Sequence, residues 1–156
     1  MNGQSSCPCT SGLLFHKCCG EVIKDHRLAM SAERLMRSRY VAYVIKAEDY
    51  LLSSWHPTTR PNKIDFEPRP VRWLGLEIHG SELGRDSDSK GSVDFTATYY
   101  ENGQICKLRE KSHFVKEHGL WYYLSGKCEI AKEKPARNSA CPCGSGRKFK
   151  RCCLRR

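Results

Sequence analysis

The sequence reads Cys7-Pro8-Cys9-Thr10-Ser11-Gly12-Leu13-Leu14-Phe15-His16-Lys17-Cys18-Cys19 near one end, and a second copy of this pattern occupies Cys141 to Cys153. Both copies read C-P-C-x-S-G-x-x-F-x-x-C-C, at a constant offset of 134 residues. The shared Ser-Gly predicts a turn that brings the second cysteine pair back onto the first. Four thiolates complete a tetrahedral shell for Zn²⁺, which is typical of structural rather than catalytic sites. We therefore predict two structural zinc sites, with the ligand sets Cys7, Cys9, Cys18, Cys19 and Cys141, Cys143, Cys152, Cys153.

Disulfides and iron–sulfur clusters are the alternatives for these eight cysteines. Met1 to Ser6 is polar and contains no apolar signal segment, so the context of a secreted disulfide framework is missing. The spacing also matches none of the usual ferredoxin patterns, which favours zinc over an iron–sulfur cluster. The two remaining cysteines, Cys106 and Cys128, lie in strand-like sequence, and we expect both to be buried or half-buried thiols.

The length of 156 residues allows one domain of ordinary size with small appendages. We predict an N-terminal zinc knuckle at residues 1–20, a central domain at 21–131, and a basic linker with a second knuckle at 132–156. No stretch approaches the ~20 consecutive apolar residues that span a bilayer, so no membrane insertion is expected. Free cysteines without an export signal predict a cytoplasmic protein.

The net charge of +10 is concentrated in one region of the chain. Residues 1–20 and 21–131 carry +1 each, whereas residues 132–156 carry nine basic side chains against Glu133. Because Zn²⁺ with four thiolates is formally −2, the loaded tail is near +6 and the loaded N-terminal segment about −1. The C-terminal knuckle would thus present Arg147, Lys148, Lys150 and Arg151. Such a surface suits RNA phosphates or an acidic protein, and the alternative is a solvated tail kept soluble by its charge.

The central segment begins with helical periodicity. Apolar side chains recur at three- and four-residue steps from Ser31 to Val44, with Ser31 as the predicted N-cap. A shorter helix is predicted at 47–54, and Pro57 prevents its continuation. Residues 57–70 are rich in proline and charge, so they read as an irregular connection.

Four strand-like segments follow the helices. They cover residues 71–79, 92–100, 104–116 and 120–125, and Asn102-Gly103 and His118-Gly119 predict hairpin turns between the last three. In the first strand Leu74, Leu76 and Ile78 alternate with Trp73, which would lie on the opposite face. Residues 81–91 are polar and read as a long exposed loop. The fold class is therefore α+β, with the helices packed on one face of a curved antiparallel sheet.

Together these motifs resemble a known family. A SEC-C knuckle at each end, Leu35-Met36-Arg37-Ser38-Arg39-Tyr40-x-x-Tyr43 and Trp55-His56-Pro57 make the whole chain similar to the bacterial YchJ-like proteins. The resemblance implies that the eight motif cysteines are metal ligands and that the centre is an NTF2-like cone. The C-terminal copy also resembles the zinc-binding tail of the translocation ATPase SecA. In the N-terminal copy, Thr10 replaces the usual glycine, and Leu13-Leu14 replaces basic residues.

Three classes of function are compatible with this sequence. In the first, the protein is an adaptor whose knuckles dock on a protein partner, such as a chaperone, a translocation component or the ribosome. In the second, the basic C-terminal knuckle binds RNA. In the third, the mouth of the cone binds a small ligand or catalyses a lyase- or isomerase-type reaction, although the fold alone is weak support for this.

A pocket in the cone would need a polar group in apolar surroundings. We select Tyr40, Tyr43, Trp55, His56 and Asp94 as its candidate residues and assign no catalytic residue. Each also has a structural interpretation, with Asp94 facing water and His56 ending a helix. Arg37 and Arg39, on the first helix, are expected to pair with a strand carboxylate such as Asp94 or Glu110, which would brace the helix on the sheet.

Overall fold

The structure is a computed structural model that describes residues 5–66 and 71–155. It contains α1 (Cys19–Lys24), α2 (Ala32–Ile45) and α3 (Glu48–Ser53), followed by the strands β1 (Arg72–Leu83), β2 (Lys90–Glu101), β3 (Gln104–Glu117) and β4 (Leu120–Glu133). Short 3₁₀ turns lie at Phe15–Lys17, His26–Leu28, Phe149–Arg151 and Cys153–Arg155. Within the described residues, no helix is both long and apolar enough to cross a membrane. The α+β class is confirmed.

The central helix α2 begins and ends as its sequence predicts. The Ser31 side chain accepts a hydrogen bond from the Arg34 amide, which satisfies one of the free N–H groups of the first turn. The helix ends where Lys46 adopts the left-handed conformation, with φ of 57°. Leu35 and Val41 are fully buried in the hydrophobic core and Tyr40 nearly so, whereas Val44 is only half-buried.

The sheet is antiparallel in the order β1-β2-β3-β4. Its two predicted hairpin turns are confirmed, because Asn102, Gly103, His118 and Gly119 all have positive φ, as tight hairpin turns require. The predicted connection at 57–70 contains neither helix nor strand from residue 57 to residue 66, and residues 67–70 lie outside the described part of the chain.

The predicted loop at residues 81–91 is wrong. Strand β1 continues to Leu83 and pairs there with Gly91, so only six residues separate β1 from β2. Gly84 and Gly91 make this closure feasible, since a Cβ on Gly91 would lie 2.5 Å from the Gly84 Cα. Strand β4 likewise extends well past its predicted end at residue 125. Both extensions are exposed and mostly polar, so hydrophobic alternation was too weak to reveal them.

A register shift between Trp73 and Gly75 corrects the predicted faces of β1. Leu74 is the extra residue of this bulge, and it lines the outer surface beside Thr98 and Lys107. Trp73 instead packs against the hydrophobic core with Leu76, its aromatic ring 5.4 Å from that of Tyr40. An irregularity that adds one residue reverses which side chains face inward.

Among the described residues, the buried side chains form two separate clusters of unequal size. The large cluster joins the helices to the sheet, and it includes Cys7, Cys9, Cys18 and Cys19 together with side chains such as Leu35 and Trp121. The small cluster consists of Cys141, Phe149, Cys152 and Cys153, with Tyr100 and Cys143 packed against it. The first cysteine set therefore lies within the main core, while the second forms its own small core.

Candidate metal centres

The four N-terminal cysteines converge on one point. Their Sγ atoms all lie within 4.8 Å of one another, and all four residues are buried. The Sγ of Cys18 is 3.6 Å from that of Cys9 and 3.9 Å from that of Cys19. Tetrahedral zinc with Zn–S bonds of about 2.3 Å separates its sulfur ligands by about 3.8 Å. The thiol positions therefore fit a four-coordinate metal ion.

The C-terminal cysteines form an equivalent group. Cys141, Cys143, Cys152 and Cys153 also place their sulfur atoms within 4.8 Å of one another, and the Sγ atoms of Cys143 and Cys152 are 3.5 Å apart. Cys143 is half-buried and the other three are buried. The donor set is again four thiols, so this group fits the same kind of ion.

Both groups are held by the same backbone hydrogen bonds. The Cys7 amide donates to the Leu13 carbonyl over 2.8 Å, and the Cys141 amide donates to the Arg147 carbonyl over 2.7 Å. The serine of the motif also recurs in the same role. Ser11 Oγ lies 3.3 Å from Cys18 Sγ, and Ser145 Oγ lies 3.3 Å from Cys152 Sγ. The shared Ser-Gly thus makes the predicted turn and also contacts a candidate ligand.

The thiols within each group differ widely in acidity. In the N-terminal group, a hydrogen bond from Cys19 lowers the pKa of Cys9 to about 4, while burial raises the pKa of Cys7 to about 11. In the C-terminal group, the Ser145 hydroxyl lowers the pKa of Cys143 to about 6, and burial raises the pKa of Cys153 to about 12. Four adjacent thiolates repel one another, so full ionisation of either group requires a bound cation.

Several tertiary contacts attach the N-terminal knuckle to the central domain. Arg37 on α2 donates to the Cys9 carbonyl over 2.9 Å, and Arg34 pairs with Glu21 on α1. Thr10 Oγ1 donates to the Leu76 carbonyl on β1. Thr10 has φ of 60°, a conformation that a β-branched residue rarely adopts, whereas the equivalent residue of the other copy is Gly144. A threonine therefore stands where the other copy has glycine, and its hydroxyl makes a contact with the sheet that glycine could not make.

The C-terminal knuckle contacts strands β1 and β2 of the sheet. Arg72 Nη1 lies 3.0 Å from Cys153 Sγ, and the Tyr100 hydroxyl donates to the Cys153 carbonyl over 3.3 Å. The Tyr100 ring meets Phe149 edge to face, with 5.9 Å between ring centroids. Sequence reasoning missed Arg72 and Tyr100, as it missed Thr10 and Arg37 as anchors, because such partners are distant in sequence.

The predicted partner-binding side chains lie on the outer surface of the C-terminal knuckle. Arg147, Lys148 and Arg151 are exposed, and Lys150 is half-buried. Lys150 and Arg151 line a shallow groove with Arg137, Leu154 and Arg155. Among the described residues, no carboxylate lies within ion-pair distance of any of these basic side chains. They are therefore open to an external anion.

The structure places three of the five candidate pocket residues at a cavity and the other two elsewhere. Tyr40, Tyr43 and Trp55 line a cavity between the helices and the sheet, but His56 and Asp94 do not. His56 is directed toward Thr58 and Glu117, its Nδ1 lying 2.7 Å from Thr58 Oγ1. Asp94 belongs to the opposite face of β2, where it pairs with Arg109 at 2.9 Å. The placement of Asp94 in the pocket is thus corrected: it alternates with the buried Val93 and Phe95.

The expected pairing of the two α2 arginines with strand carboxylates is also wrong. Arg37 pairs with Glu33 on its own helix at 2.8 Å, and Arg39 binds the Leu51 carbonyl and Ser54 Oγ instead. Of the two cysteines outside the motifs, Cys106 is buried as expected, but Cys128 is exposed. Cys128 lies on the outer half of β4, where residues 125–133 are all exposed.

Comparisons with known proteins agree with the fold and with the terminal motif. The YchJ middle NTF2-like domain matches residues 31–126, and the SEC-C motif matches residues 137–155. UPF0225 proteins of Photorhabdus laumondii and Sodalis glossinidius are each 41% identical to this chain. The alignments cover 94% and 96% of this chain and 97% and 98% of those proteins.

Two solved structures are also similar. The solution structure of a SEC-C motif containing protein from Rhodopseudomonas palustris has a TM-score of 0.69 at 33% identity, covering 79% of this chain and 98% of that one. The crystal structure of a SEC-C motif containing protein from Psychrobacter arcticus has a TM-score of 0.62 at 26% identity, covering 99% of both chains. The second similarity extends over both knuckles and the domain between them.

Proposed function

This chain belongs to the YchJ-like family, and we propose that it is a zinc-dependent adaptor whose C-terminal knuckle docks on an acidic protein surface in the cytoplasm. Partners of this chemistry include chaperones, translocation components and proteins of the ribosome. In this proposal each cysteine group holds one structural zinc ion, and the central domain is the rigid body that carries the docking knuckle.

The donor chemistry supports zinc as the metal. Each group supplies four sulfur atoms and no carboxylate, and soft thiolate ligands favour zinc over magnesium, calcium or manganese. Four protein ligands fill a tetrahedral shell and leave no open position for a substrate. Both ions would thus stabilise the fold of their knuckle, and neither would take part in catalysis.

The observation that carries the docking proposal is the unpaired basic surface of the C-terminal knuckle. Residues 137–155 contain six basic side chains and no acidic one. The N-terminal knuckle is different, because its residues 5–20 contain Lys17 as their only Lys or Arg, and its cysteines are part of the main core. Charge and exposure therefore both favour the C-terminal knuckle as the docking surface.

The side chains exposed on this surface favour a protein partner over RNA. Proteins that bind single-stranded RNA stack bases on exposed aromatic side chains. The only aromatic residue of the C-terminal knuckle is Phe149, and it is 2% exposed beneath the Tyr100 ring. The basic groove instead contains Leu154, which is 43% exposed and offers an apolar contact to a protein.

A capture experiment tests this function. The zinc-loaded full-length chain is immobilised and incubated with bacterial lysate, with and without nuclease, and the bound proteins are identified by mass spectrometry. Charge reversal of Arg147, Lys148, Lys150 and Arg151 to Glu should abolish capture of the specific partners. All eight motif cysteines remain in this variant, so its zinc content should be unchanged.

A matched control reverses four basic residues elsewhere. Lys63, Arg85, Lys90 and Lys127 are exposed on the central domain, so their replacement by Glu changes the net charge equally. This control variant should still capture the partners. Capture that disappears after nuclease treatment would identify RNA as the partner. Equal loss of capture in both variants would show that net charge alone determines binding.

A further inference from the structure

The central domain encloses a cavity that the docking function does not use. It lies between α2, Trp55 and the concave face of the sheet and has a volume of about 260 Å³. This is close to the lower end of the range for small-molecule sites, about 300 Å³. Most of its lining is apolar or aromatic, from Met36, Tyr40, Tyr43, Trp55, Trp73, Phe95, Ala97, Leu108 and Tyr123.

Arg39 is the cationic group in the wall of this cavity. It is only 4% exposed, and its guanidinium carbon lies 5.0 Å from the Trp55 ring centroid and 4.7 Å from that of Tyr123. Its Nη1 donates to the Leu51 carbonyl and to Ser54 Oγ. Within residues 5–66 and 71–155, Nε and Nη2 have no acceptor, and no carboxylate lies within 4.0 Å. Among the described residues, the side-chain atoms that are both buried and without a partner are His56 Nε2 and Trp121 Nε1, so the free Arg39 nitrogens face accessible space.

Glu110 on β3 lines the same cavity and offers the complementary group. Its Oε1 accepts hydrogen bonds from Ser112 Oγ at 2.7 Å and from the Tyr123 hydroxyl at 3.0 Å. The position of the carboxylate depends on Gly126, because a Cβ there would lie 1.9 Å from Oε1. No donor among the described residues binds Oε2. The cavity thus contains free donors on Arg39 and a free acceptor on Glu110.

A second hollow of about 370 Å³ continues this cavity toward the surface. Both spaces are lined by Tyr43, Trp73 and Leu108, and the outer one also by Phe66 and Tyr99. The outer space is partly polar, because Lys46, Asp65, Glu101 and Lys132 also line it. A small molecule could therefore enter from the open end of the cone and reach Arg39 and Glu110.

We propose that this cavity binds a small, flat, largely apolar molecule whose edge carries a carbonyl oxygen beside an N–H group, as in a carboxamide or lactam. The carbonyl accepts from Arg39, the N–H donates to Glu110, and the apolar body contacts the aromatic walls. Because Arg39 and Glu110 balance each other's charge, a neutral ligand leaves no net charge in the apolar interior. A carboxylate ligand would add a second negative charge beside Glu110.

Three probes of similar size test this recognition, namely benzamide, benzoate and toluene. Titrations of the zinc-loaded protein are followed by the NMR signals of the tryptophan indoles. Trp55 and Trp73 line the cavity, whereas Trp121 is fully buried outside it and serves as an internal control. Benzamide should move the Trp55 and Trp73 signals and leave Trp121 unchanged. Benzoate and toluene should each bind about tenfold more weakly, since each lacks one or both complementary groups.

Two variants make the test decisive. Glu110→Gln removes the negative charge and leaves Arg39 uncompensated, so benzoate should become the preferred probe. Ala97→Leu fills the cavity and should abolish binding of all three probes. The tryptophan indole signals should still be those of a folded protein. Absence of benzamide binding to the wild type, equal binding of toluene, or an unchanged order of preference in Glu110→Gln would each overturn the proposal.

Discussion

At the scale of single residues, Thr10 links the N-terminal knuckle to the sheet. Its left-handed backbone conformation is unfavourable for a β-branched side chain, and the hydrogen bond to the Leu76 carbonyl offsets this cost. Thr10→Val keeps the branched shape but removes the hydroxyl, which leaves the Leu76 carbonyl without this donor. We expect Thr10→Val to lower the free energy of unfolding by about 1–2 kcal/mol.

The control for this prediction is Thr10→Ser, which retains the hydroxyl. Its free energy of unfolding should stay within about 0.5 kcal/mol of the wild type, as is usual for changes that remove no specific interaction. Urea unfolding of the zinc-loaded protein, followed by tryptophan fluorescence, measures both variants. If Thr10→Val and Thr10→Ser had the same free energy of unfolding, the Thr10 hydroxyl would not anchor the knuckle to the sheet.

His26 gives the stability of the protein a dependence on pH. Burial lowers the pKa of His26, whose Nε2 lies 2.6 Å from the Trp121 carbonyl oxygen. The unfolded chain, with a histidine pKa of about 6.5, therefore binds more protons than the folded one below that pH. The contribution of neutral His26 is complete above about pH 6.5 and is lost as the pH falls toward the lower folded pKa.

This titration is isolated by comparing variants at each pH, since acid also protonates the cysteine groups. The difference in unfolding free energy between wild type and His26→Gln should shrink as the pH falls from 7.5 to below about 6.5. A pH-independent difference in unfolding free energy for His26→Gln would contradict a lowered pKa of the half-buried His26.

At the residue scale, the sequence predicted some contacts correctly and missed others. The cysteine spacing predicted both converging groups, because four ligands within 13 residues can meet only if the chain folds back locally. The face of Trp73 depends on the bulge at Leu74 in β1, whereas Asp94 follows the regular alternation of β2 between the buried Val93 and Phe95. The partners of Arg39 come from α3, and nothing in the spacing along the chain indicates them.

At the scale of elements, the two knuckles should differ in what their loss does. The N-terminal cysteines share a core with α2 and the sheet, whereas the C-terminal ones pack mainly on Phe149 and Tyr100. Cys141→Ser with Cys143→Ser should remove one zinc ion per chain and leave the unfolding of the central domain nearly unchanged. Elemental analysis and urea unfolding check this result.

The matched change at the other end is Cys7→Ser with Cys9→Ser. It should also remove one zinc ion, but it should lower the stability of the central domain by more than about 3 kcal/mol, because it places unliganded polar groups in the core. If the C-terminal double variant lowered the stability of the central domain more than the N-terminal one, the C-terminal cysteines would belong to the main core and our assignment would be wrong.

Element ends were harder to predict than the elements themselves. Helix α2 has an N-cap serine and an apolar stripe, so its sequence defines it within one residue of the structure. The outer halves of β1 and β4 are exposed on both faces, so neither alternation nor burial distinguishes them from loops. Backbone pairing with β2 and β3 forms these extensions, and pairing depends on residues far away in sequence.

At the scale of the whole molecule, we propose two folding units that replace the three segments inferred from the sequence. The first comprises residues 5–133, since the N-terminal knuckle, the helices and the sheet share one core. The second comprises the knuckle at residues 137–155, which has a small core of its own. Arg72 and Tyr100 are the main side chains of the first unit that contact the second.

This division determines how partner binding should respond to salt. The docking surface of the second unit is charged and exposed, so its interactions are screened over ~8 Å at physiological ionic strength. Affinity for an acidic partner should therefore fall steeply between 50 mM and 500 mM salt, which a titration of the captured partner measures. The N-terminal knuckle lacks this positive field and exposes Leu13 and Leu14 instead. Their replacement by Ser should leave binding unchanged, whereas binding that survives high salt and requires both leucines would assign docking to the first unit.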